Sequence, residues 1–326
     1  MGYQFLLVSL LLVGTSCDGL SNRLGSHRRE VLQSTVVAAA GGLLKPPPVS
    51  AAERILPVIS LSDDTAFPLA SFGLQIYDDH TAYKLTMTAL EVGYRNFFAS
   101  VLAGNQKGFA KAVRDSGIPR SELLICGSVV SNRASSFEDA KTLTTGGCIK
   151  NMAAFGAGGI DYLDQIMLDY PGPDCPSIQG QWAAFEEMHQ NRLVRTLSVS
   201  NFSPSQVDCV LKDCRVRPVV NQLPYSVAYH PGSAVTDNQK RGLLVQAWAP
   251  LGGSLGGRFD RDIKVKCGDI GKKYNKSFAQ VALRWIVQSG AAFTTQSKNR
   301  EHFVENLNIF DFELSEKEMM VLNSLA

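Results

Sequence analysis

The chain has little net charge, little histidine and no long apolar run, and each shortage removes a class of function. Lys and Arg number 32 against 30 Asp and Glu, a formal charge of +2 over 326 residues. Within residues 1–52, Arg23, Arg28, Arg29 and Lys45 face only Asp18 and Glu30, so the remainder is neutral. A neutral body lacks the electrostatic footprint of a nucleic-acid surface. The apolar run Phe5 to Val13 is too short to span a bilayer, and no integral membrane span is expected in the mature chain. The seven cysteines include no CxxC and none paired with a histidine at metal-ligand spacing, so no metal site is expected. Beyond Cys17, the cysteines Cys126, Cys148, Cys175, Cys209, Cys214 and Cys267 read as scattered small core residues. Cys209 and Cys214, five apart, would point to different helix faces, which disfavours a local disulfide. No fixed-period repeat or low-complexity tract is visible.

What is present begins with two stacked targeting signals over residues 1–52. Phe5–Val13 followed by Gly14-Thr15-Ser16 has the form of a signal-peptide core, assigned to residues 1–17, although its start carries no Lys or Arg. Arg28-Arg29, the mild apolar run Ser34 to Leu44 and the small-residue end Ser50-Ala51-Ala52 then have the form of a twin-arginine signal over 28–52. Two such signals in series resemble the bipartite presequences of thylakoid-lumen proteins in algae whose plastids are reached through the secretory pathway. Those presequences carry an aromatic after the first cleavage point, where this chain has Cys17-Asp18-Gly19. Entry into the secretory pathway is expected, with the plastid thylakoid lumen or ordinary secretion as the destination. The folded part is taken as residues 53–326.

With 45% hydrophobic residues the chain can bury a large core. Ile59–Leu61 and Ala66–Leu69 predict a hairpin around Asp63-Asp64. Eight strand-like segments follow: Ser71–Leu74, Asn96–Ala99, Leu123–Gly127, Gln165–Leu168, Thr196–Ser200, Val219–Gln222, Leu244–Trp248 and Ala292–Thr295. Segments between them, among them Ala82–Val92, Phe109–Ser116, Gln181–Gln190, Ser203–Lys212 and Phe278–Gln288, carry apolar residues at helical spacing. Eight strand–helix units predict an α/β fold, a single (β/α)8 TIM barrel with a short N-terminal hairpin. A doubly wound sheet would need a Gly-rich phosphate turn after its first strand, and Gly73-Leu74-Gln75 is not one. In such a barrel the C-terminal end of each strand faces the active site. Asp169, which ends the apolar run Gln165–Leu168, is therefore either a catalytic group or the mark of a lost one.

Seven phrases now fall in a telling order: Gly93-Tyr94-Arg95, Tyr162–Pro171, Val199-Ser200-Asn201-Phe202, Val220-Asn221-Gln222, Ala247–Gly252, Leu283-Arg284-Trp285 and Glu305-Asn306. Together they resemble the aldo-keto reductase family over roughly residues 55–326. The resemblance implies an NADP(H)-binding barrel with the cofactor across its C-terminal mouth. It places Ser200, Asn201 and Gln222 on the nicotinamide carboxamide, Trp248 under the nicotinamide ring, Leu251-Gly252-Gly253-Ser254 over the pyrophosphate, and Ser297, Glu305 and Asn306 at the adenosine end. The Lys and Arg that the family sets on the 2′-phosphate are Gln296 and His302 here, with Lys298 and Arg300 beside them, so NAD(H) stands as an alternative to NADP(H).

The family's proton-donating tyrosine, its lysine, the aspartate paired with that lysine and the substrate-orienting histidine are all replaced. Phe98 stands at the aspartate position, Ala103 at the tyrosine, Ser128 at the lysine and Asp169 at the histidine. Hydride delivery to a carbonyl leaves a developing alkoxide that needs a proton donor and a nearby positive charge. Phe98 and Ala103 offer neither, and an ionised Asp169 would repel the charge. Tyr77, His80 and Tyr170 are further candidates at the mouth, each read first as a lining residue. Three functions remain open: an NADP(H)-binding oxidoreductase-like protein without ordinary carbonyl reduction, an active oxidoreductase using Asp169 or a mouth tyrosine as acid, and a non-catalytic binding or scaffold barrel.

Overall fold

The computed structural model of the protein describes residues 56–253 and 257–326. Both targeting signals expected over 1–52, and Ser254 of the loop expected over the pyrophosphate, lie outside the described residues. A hairpin comes first, β1 (Val58–Ser60) pairing antiparallel with β2 (Ala66–Pro68). Then follow β3 (Ala70–Gly73), α1 (Asp79–Val92), β4 (Asn96–Ala99), α2 (Gln106–Asp115), β5 (Leu124–Val130), α3 (Phe137–Gly156), β6 (Leu163–Asp169) and α4 (Cys175–Gln190). The second half holds β7 (Val194–Ser200), α5 (Pro204–Leu211), β8 (Val220–Pro224), α6 (Ala234–Gln239), β9 (Leu244–Trp248), α7 (Arg261–Tyr274), α8 (Phe278–Gln288), β10 (Ala292–Thr295), α9 (Arg300–Leu307) and α10 (Glu316–Asn323). Strands β3 to β10 close into a parallel barrel in sequence order, β10 returning to β3. The expected hairpin and (β/α)8 barrel are both present.

Period-two alternation along the strands sorts side chains between two environments. Phe72, Phe97, Ile125, Ile166, Leu197, Val245 and Phe293 pack with the helices in the main apolar cluster. Alternate positions carry Ser71, Asn96, Gln165, Thr196, Ser198, Gln222, Gln246 and Thr294, all buried and polar. Barrel interiors of this type are usually filled by branched aliphatics. Here neighbouring strands satisfy one another instead: Gln165 Nε2 donates to Ser198 Oγ at 2.6 Å, and Gln222 Nε2 to Gln246 Oε1 at 2.8 Å. The hairpin closes the N-terminal end. Fully buried Phe67 and Leu61 pack there with Leu124, Val219, Val220, Leu244 and Ala292.

Strand β6 carries a buried aspartate as its second residue and ends on another. Asp164 meets Arg120 at 2.6 Å and Arg195 at 3.2 Å, and accepts the Ile125 amide at 2.9 Å. Both guanidinium groups also lie over the Tyr162 ring, at 4.1 and 4.6 Å. Asp169 pairs in register with Ser200. The strand therefore runs past the expected end at Leu168, because the ladder to β7 continues one residue further.

The structure corrects one expectation about the cysteines. Cys175 and Cys209 form a disulfide, Cα–Cα 5.4 Å, rather than serving as separate core thiols. Cys175 opens α4 and Cys209 lies in α5, the helices that follow the adjacent strands β6 and β7. They are 34 residues apart, the first residue of α4 meeting the sixth of α5 where the two helices lie side by side. Cys126, Cys148 and Cys267 are free and buried as expected, and Cys214 is free and half-buried.

Two stability outcomes follow. Phe67→Ala should cost about 3–5 kcal/mol in urea unfolding, because it empties the apolar plug that seals the barrel floor. Cys209→Ala should cost about 3–4 kcal/mol by the loop-closure relation for a loop of this length, and reducing the wild-type protein with dithiothreitol should produce the same loss.

Candidate functional site

The C-terminal ends of six strands meet around a cavity of about 460 Å³. Its wall includes Phe98 on β4 and Ser100 just after it, Asp169 and Tyr170 at β6, Ser200 and Asn201 at β7, Gln222 on β8, Trp248 to Gly253 at β9, and Thr294 to Gln296 at β10. Gln75, Ile76 and Leu102 complete it. No Lys, Arg or His is among these lining residues, and no group of His, Cys, Asp and Glu among the described residues could hold a metal ion.

The backbone turns sharply at three of these strand ends. Tyr170 (φ 69°), Asn201 (φ 64°) and Ala249 (φ 50°) all adopt left-handed conformations directly after β6, β7 and β9. Such backbone is costly for a residue with a Cβ, asparagine being among the most tolerant. The turn is held by ladder bonds that continue past the strands: Tyr170 N–H donates to Ser200 O at 3.2 Å, and Asn201 N–H to Gln222 O at 3.0 Å.

The Asn201 side chain then ties three strand ends together. Its Nδ2 donates to Asp169 Oδ1 at 3.1 Å and to Ser200 Oγ at 3.0 Å, while its Oδ1 accepts from Trp248 Nε1 at 3.1 Å. The Ser200 hydroxyl in turn donates to the Asp169 carboxylate. Asp169 is thus hydrogen-bonded by neutral groups, and no cation among the described residues pairs with it. Burial pushes its carboxyl up to about 6, against the opposing pull of the Ser200 and Asn201 donors. Burial, and secondarily the Asp169 charge, also raises the neighbouring Tyr170 phenol. The Cys126 thiol is raised well above its usual range by burial first, then by Asp164 and Asp169. Near neutrality the described lining of the mouth therefore holds one carboxylate, a small fraction of it protonated, and no compensating positive charge.

The sequence-derived candidates divide into those that share this cavity and those that do not. Phe98, Asp169, Ser200, Asn201, Gln222, Trp248 and Leu251 line it together. Ala103 and Ser128 do not. Ala103 sits in the turn after β4, its amide bonded to Ser100 O at 3.2 Å. Ser128 is fully buried on β5, where its hydroxyl accepts the Val101 amide at 3.2 Å.

Ser297, Glu305 and Asn306 also lie outside the cavity wall. Ser297 Oγ accepts the Asn299 amide at 3.0 Å and approaches His302 Nδ1 at 3.4 Å, while Asn306 is buried in α9. Gln296 lines the rim and donates to Gln75 Oε1 at 2.7 Å. Of the three extra mouth candidates, Tyr170 lines the cavity, whereas Tyr77 and His80 do not. Tyr77 is buried against Phe72 with ring centroids 6.2 Å apart, and burial pushes its phenol up to about 12. His80 is exposed on the first turn of α1. Sequence reading missed Gln75, Ile76, Ser100, Leu102 and Thr294. Their signal was position alone, at or just beyond the ends of expected strands.

Comparison with known proteins places this geometry in context. The sequence model described as Aldo/keto reductase family matches residues 69–326. The chain is 31% identical to a glyoxal reductase of Bacillus subtilis over 78% of its own length and 88% of that protein. It is 29% identical to a 9,11-endoperoxide prostaglandin H2 reductase of Trypanosoma cruzi, covering 82% and 90%. Among solved structures, an aldo/keto reductase of Brucella melitensis superposes with a TM-score of 0.74 at 24% identity, over 83% of this chain and all of that one. A Bombyx mori aldo-keto reductase in complex with NADP gives 0.72 at 22%, over 83% and 92%.

The raised Asp169 carboxyl fixes the sign of a pH effect. The folded state binds this proton more tightly than the unfolded state, so between about pH 4 and about pH 6 ionisation costs folding stability as pH rises. Asp169→Asn removes that cost. Its stability relative to wild type should therefore climb by roughly 3 kcal/mol from pH 4 to pH 7, read from paired urea unfolding curves.

Proposed function

The chain belongs to the aldo/keto reductase family, and from that premise we propose that it binds a nicotinamide dinucleotide at the barrel mouth but does not carry out ordinary carbonyl reduction. The single observation that carries this reading is the composition of the cavity wall. Ser200, Asn201, Gln222 and Trp248 share it with Phe98 and Asp169, with no cation among the lining residues.

The residues fit a nicotinamide. Gln222 spends one N–H on Gln246 and keeps its carbonyl oxygen and second N–H, and Asn201 Oδ1 keeps a lone pair beside the Trp248 bond. A carboxamide, with one acceptor and two donor hydrogens, matches that remaining set. The Trp248 ring would pack against one face of the nicotinamide. Gly252 (φ 84°) and Gly253 (φ 157°) provide the backbone of a close-fitting loop beyond it. Ser297, Glu305 and Asn306 would serve the adenosine end, outside the cavity. When bound, such a cofactor gives or accepts a hydride. Lys298 and Arg300 lie between Gln296 and His302, and the chemistry is compatible with NADP(H), the ligand of the Bombyx mori relative, or with NAD(H).

The chain's own residues lack what carbonyl reduction requires. A developing alkoxide needs a proton and a positive charge at the reacting oxygen. Phe98 brings a hydrocarbon ring to that wall, Ala103 has no donor, and the Ser128 hydroxyl is bonded to Val101. An ionised Asp169 adds a charge of the wrong sign. A second reading rests on the same group: because burial raises Asp169 to about 6, its protonated fraction could donate to a substrate oxygen, with Tyr170 beside it.

Residues 1–52 are proposed as a removable targeting segment leading into the secretory pathway, with the thylakoid lumen or secretion as destination. The Cys175–Cys209 disulfide supports an oxidising compartment.

The test uses the protein from about Ala52 onward, titrated with NADPH and NADH while tryptophan fluorescence is followed. Saturable quenching, diminished in Trp248→Phe, is expected, together with no consumption of NADPH in the presence of an aldehyde panel. Absence of binding by either nucleotide would overturn the reading and leave a barrel that serves as a binding scaffold. Consumption abolished by Asp169→Asn or Tyr170→Phe would establish the second reading instead.

A further inference from the structure

We propose that Asp169 makes this site select the oxidised, positively charged form of the nicotinamide over the reduced, neutral form. This deepens the nicotinamide-binding reading and rests on it. The argument is one of charge and connectivity. Trp248, Asn201 and Asp169 form one hydrogen-bonded chain, with links of 3.1 Å at each step. Any ring held by Trp248 and the Asn201 amide is therefore within one side chain of the Asp169 carboxylate.

Among the described residues, nothing lining the mouth cancels that charge. The lining residues contribute no Lys, Arg or His from any strand end. The polar and titratable groups that interact with Asp169 are Ser200 at the end of β7, Asn201 just after it and Tyr170 beyond its own strand, with Cys126 on β5 close enough to feel its field. Ser200 and Asn201 do not titrate, and the tyrosine and the thiol are both raised, so they stay neutral across the physiological range. The carboxylate is buried, with 8% of its residue surface exposed, so water screens it weakly. Asp164 shows the contrast on the same strand: its charge is met by Arg120 and Arg195. A ring carrying a delocalised positive charge would be the missing counter-ion of Asp169, whereas the neutral dihydronicotinamide would leave the carboxylate as it is. The aromatic wall, Phe98, Tyr170 and Trp248, suits a planar cation as well.

Oxidised and reduced dinucleotides share the adenosine, the pyrophosphate and any 2′-phosphate, so the ratio of their dissociation constants isolates the nicotinamide. The experiment measures that ratio by isothermal titration calorimetry, with NADP+ against NADPH and NAD+ against NADH. It compares the wild-type protein with Asp169→Asn, after thermal melting confirms that the variant folds. The wild type should bind the oxidised form about tenfold more tightly or better, and Asp169→Asn should bring the ratio to within about twofold of unity. A second arm avoids mutation: in wild type the preference should shrink from about pH 8 to about pH 5, as Asp169 takes up its proton. Binding of both forms with equal affinity, or with a ratio that Asp169→Asn leaves unchanged, would overturn the inference while the nicotinamide site stands. Failure of all four nucleotides to bind would overturn the nicotinamide reading and this inference with it.

Discussion

A carboxylate buried without a cation is the constraint around which the mouth of this barrel is arranged. Taking a charge out of water is expensive unless hydrogen bonds or an opposite charge replace the lost solvation. At Asp164 the replacement is ionic, with two guanidinium groups and a backbone amide. At Asp169 it is only dipolar, from Ser200 and Asn201, and the carboxyl responds by moving up to about 6. The two ends of one seven-residue strand thus meet the same problem in different ways. The first solution belongs to stability. The second leaves an unfilled electrostatic demand facing a cavity.

The local backbone serves that arrangement. Asn201 can reach Asp169, Ser200 and Trp248 at once because its own backbone is left-handed and leaves β7 abruptly. Tyr170 makes the equivalent turn after β6. Behind these turns, Asp174 and Ser203 cap α4 and α5 with reciprocal capping boxes, each with a proline in the first turn. The Cys175–Cys209 disulfide joins the same two helices. The strand end and turns that carry Asp169, Tyr170 and Asn201 therefore lead within a few residues into capped helices that a covalent link joins, which is what a preorganised site requires.

Much of this was legible in the sequence. The barrel could be read because buried strands such as Leu244–Trp248 and helices such as Phe278–Gln288 carry different periodicities, and each barrel strand but the last is followed by helix before the next. The resemblance of ordered phrases then placed Ser200, Asn201, Gln222 and Trp248 on one wall, and the structure gathers them there. Long-range pairings were less legible. Cys175 and Cys209 looked unrelated because a cysteine carries no sign of its partner. Yet both lie in segments that follow adjacent expected strands, and read with an expected secretory presequence that was a usable signal. Tyr77 and His80 were expected at the mouth from their place after the first strand. The side chain of Tyr77 turns instead into the core against Phe72, and His80 stays on the surface of α1. The sequence also gave no warning that Asn201 would join Asp169 to Trp248, since that contact depends on a positive φ.

The most direct measurement follows the Asp169 carboxyl carbon by NMR during a pH titration, free and with saturating NADP+ or NADPH. The expected result is a midpoint near 6 in the free protein, as burial without a cation requires. It should fall by about one pH unit or more with NADP+, and it should stay or rise with NADPH. A free-protein midpoint in the ordinary carboxylate range, or a midpoint indifferent to both saturating nucleotides, would contradict the assignment of this mouth as a nicotinamide site governed by one uncompensated carboxylate.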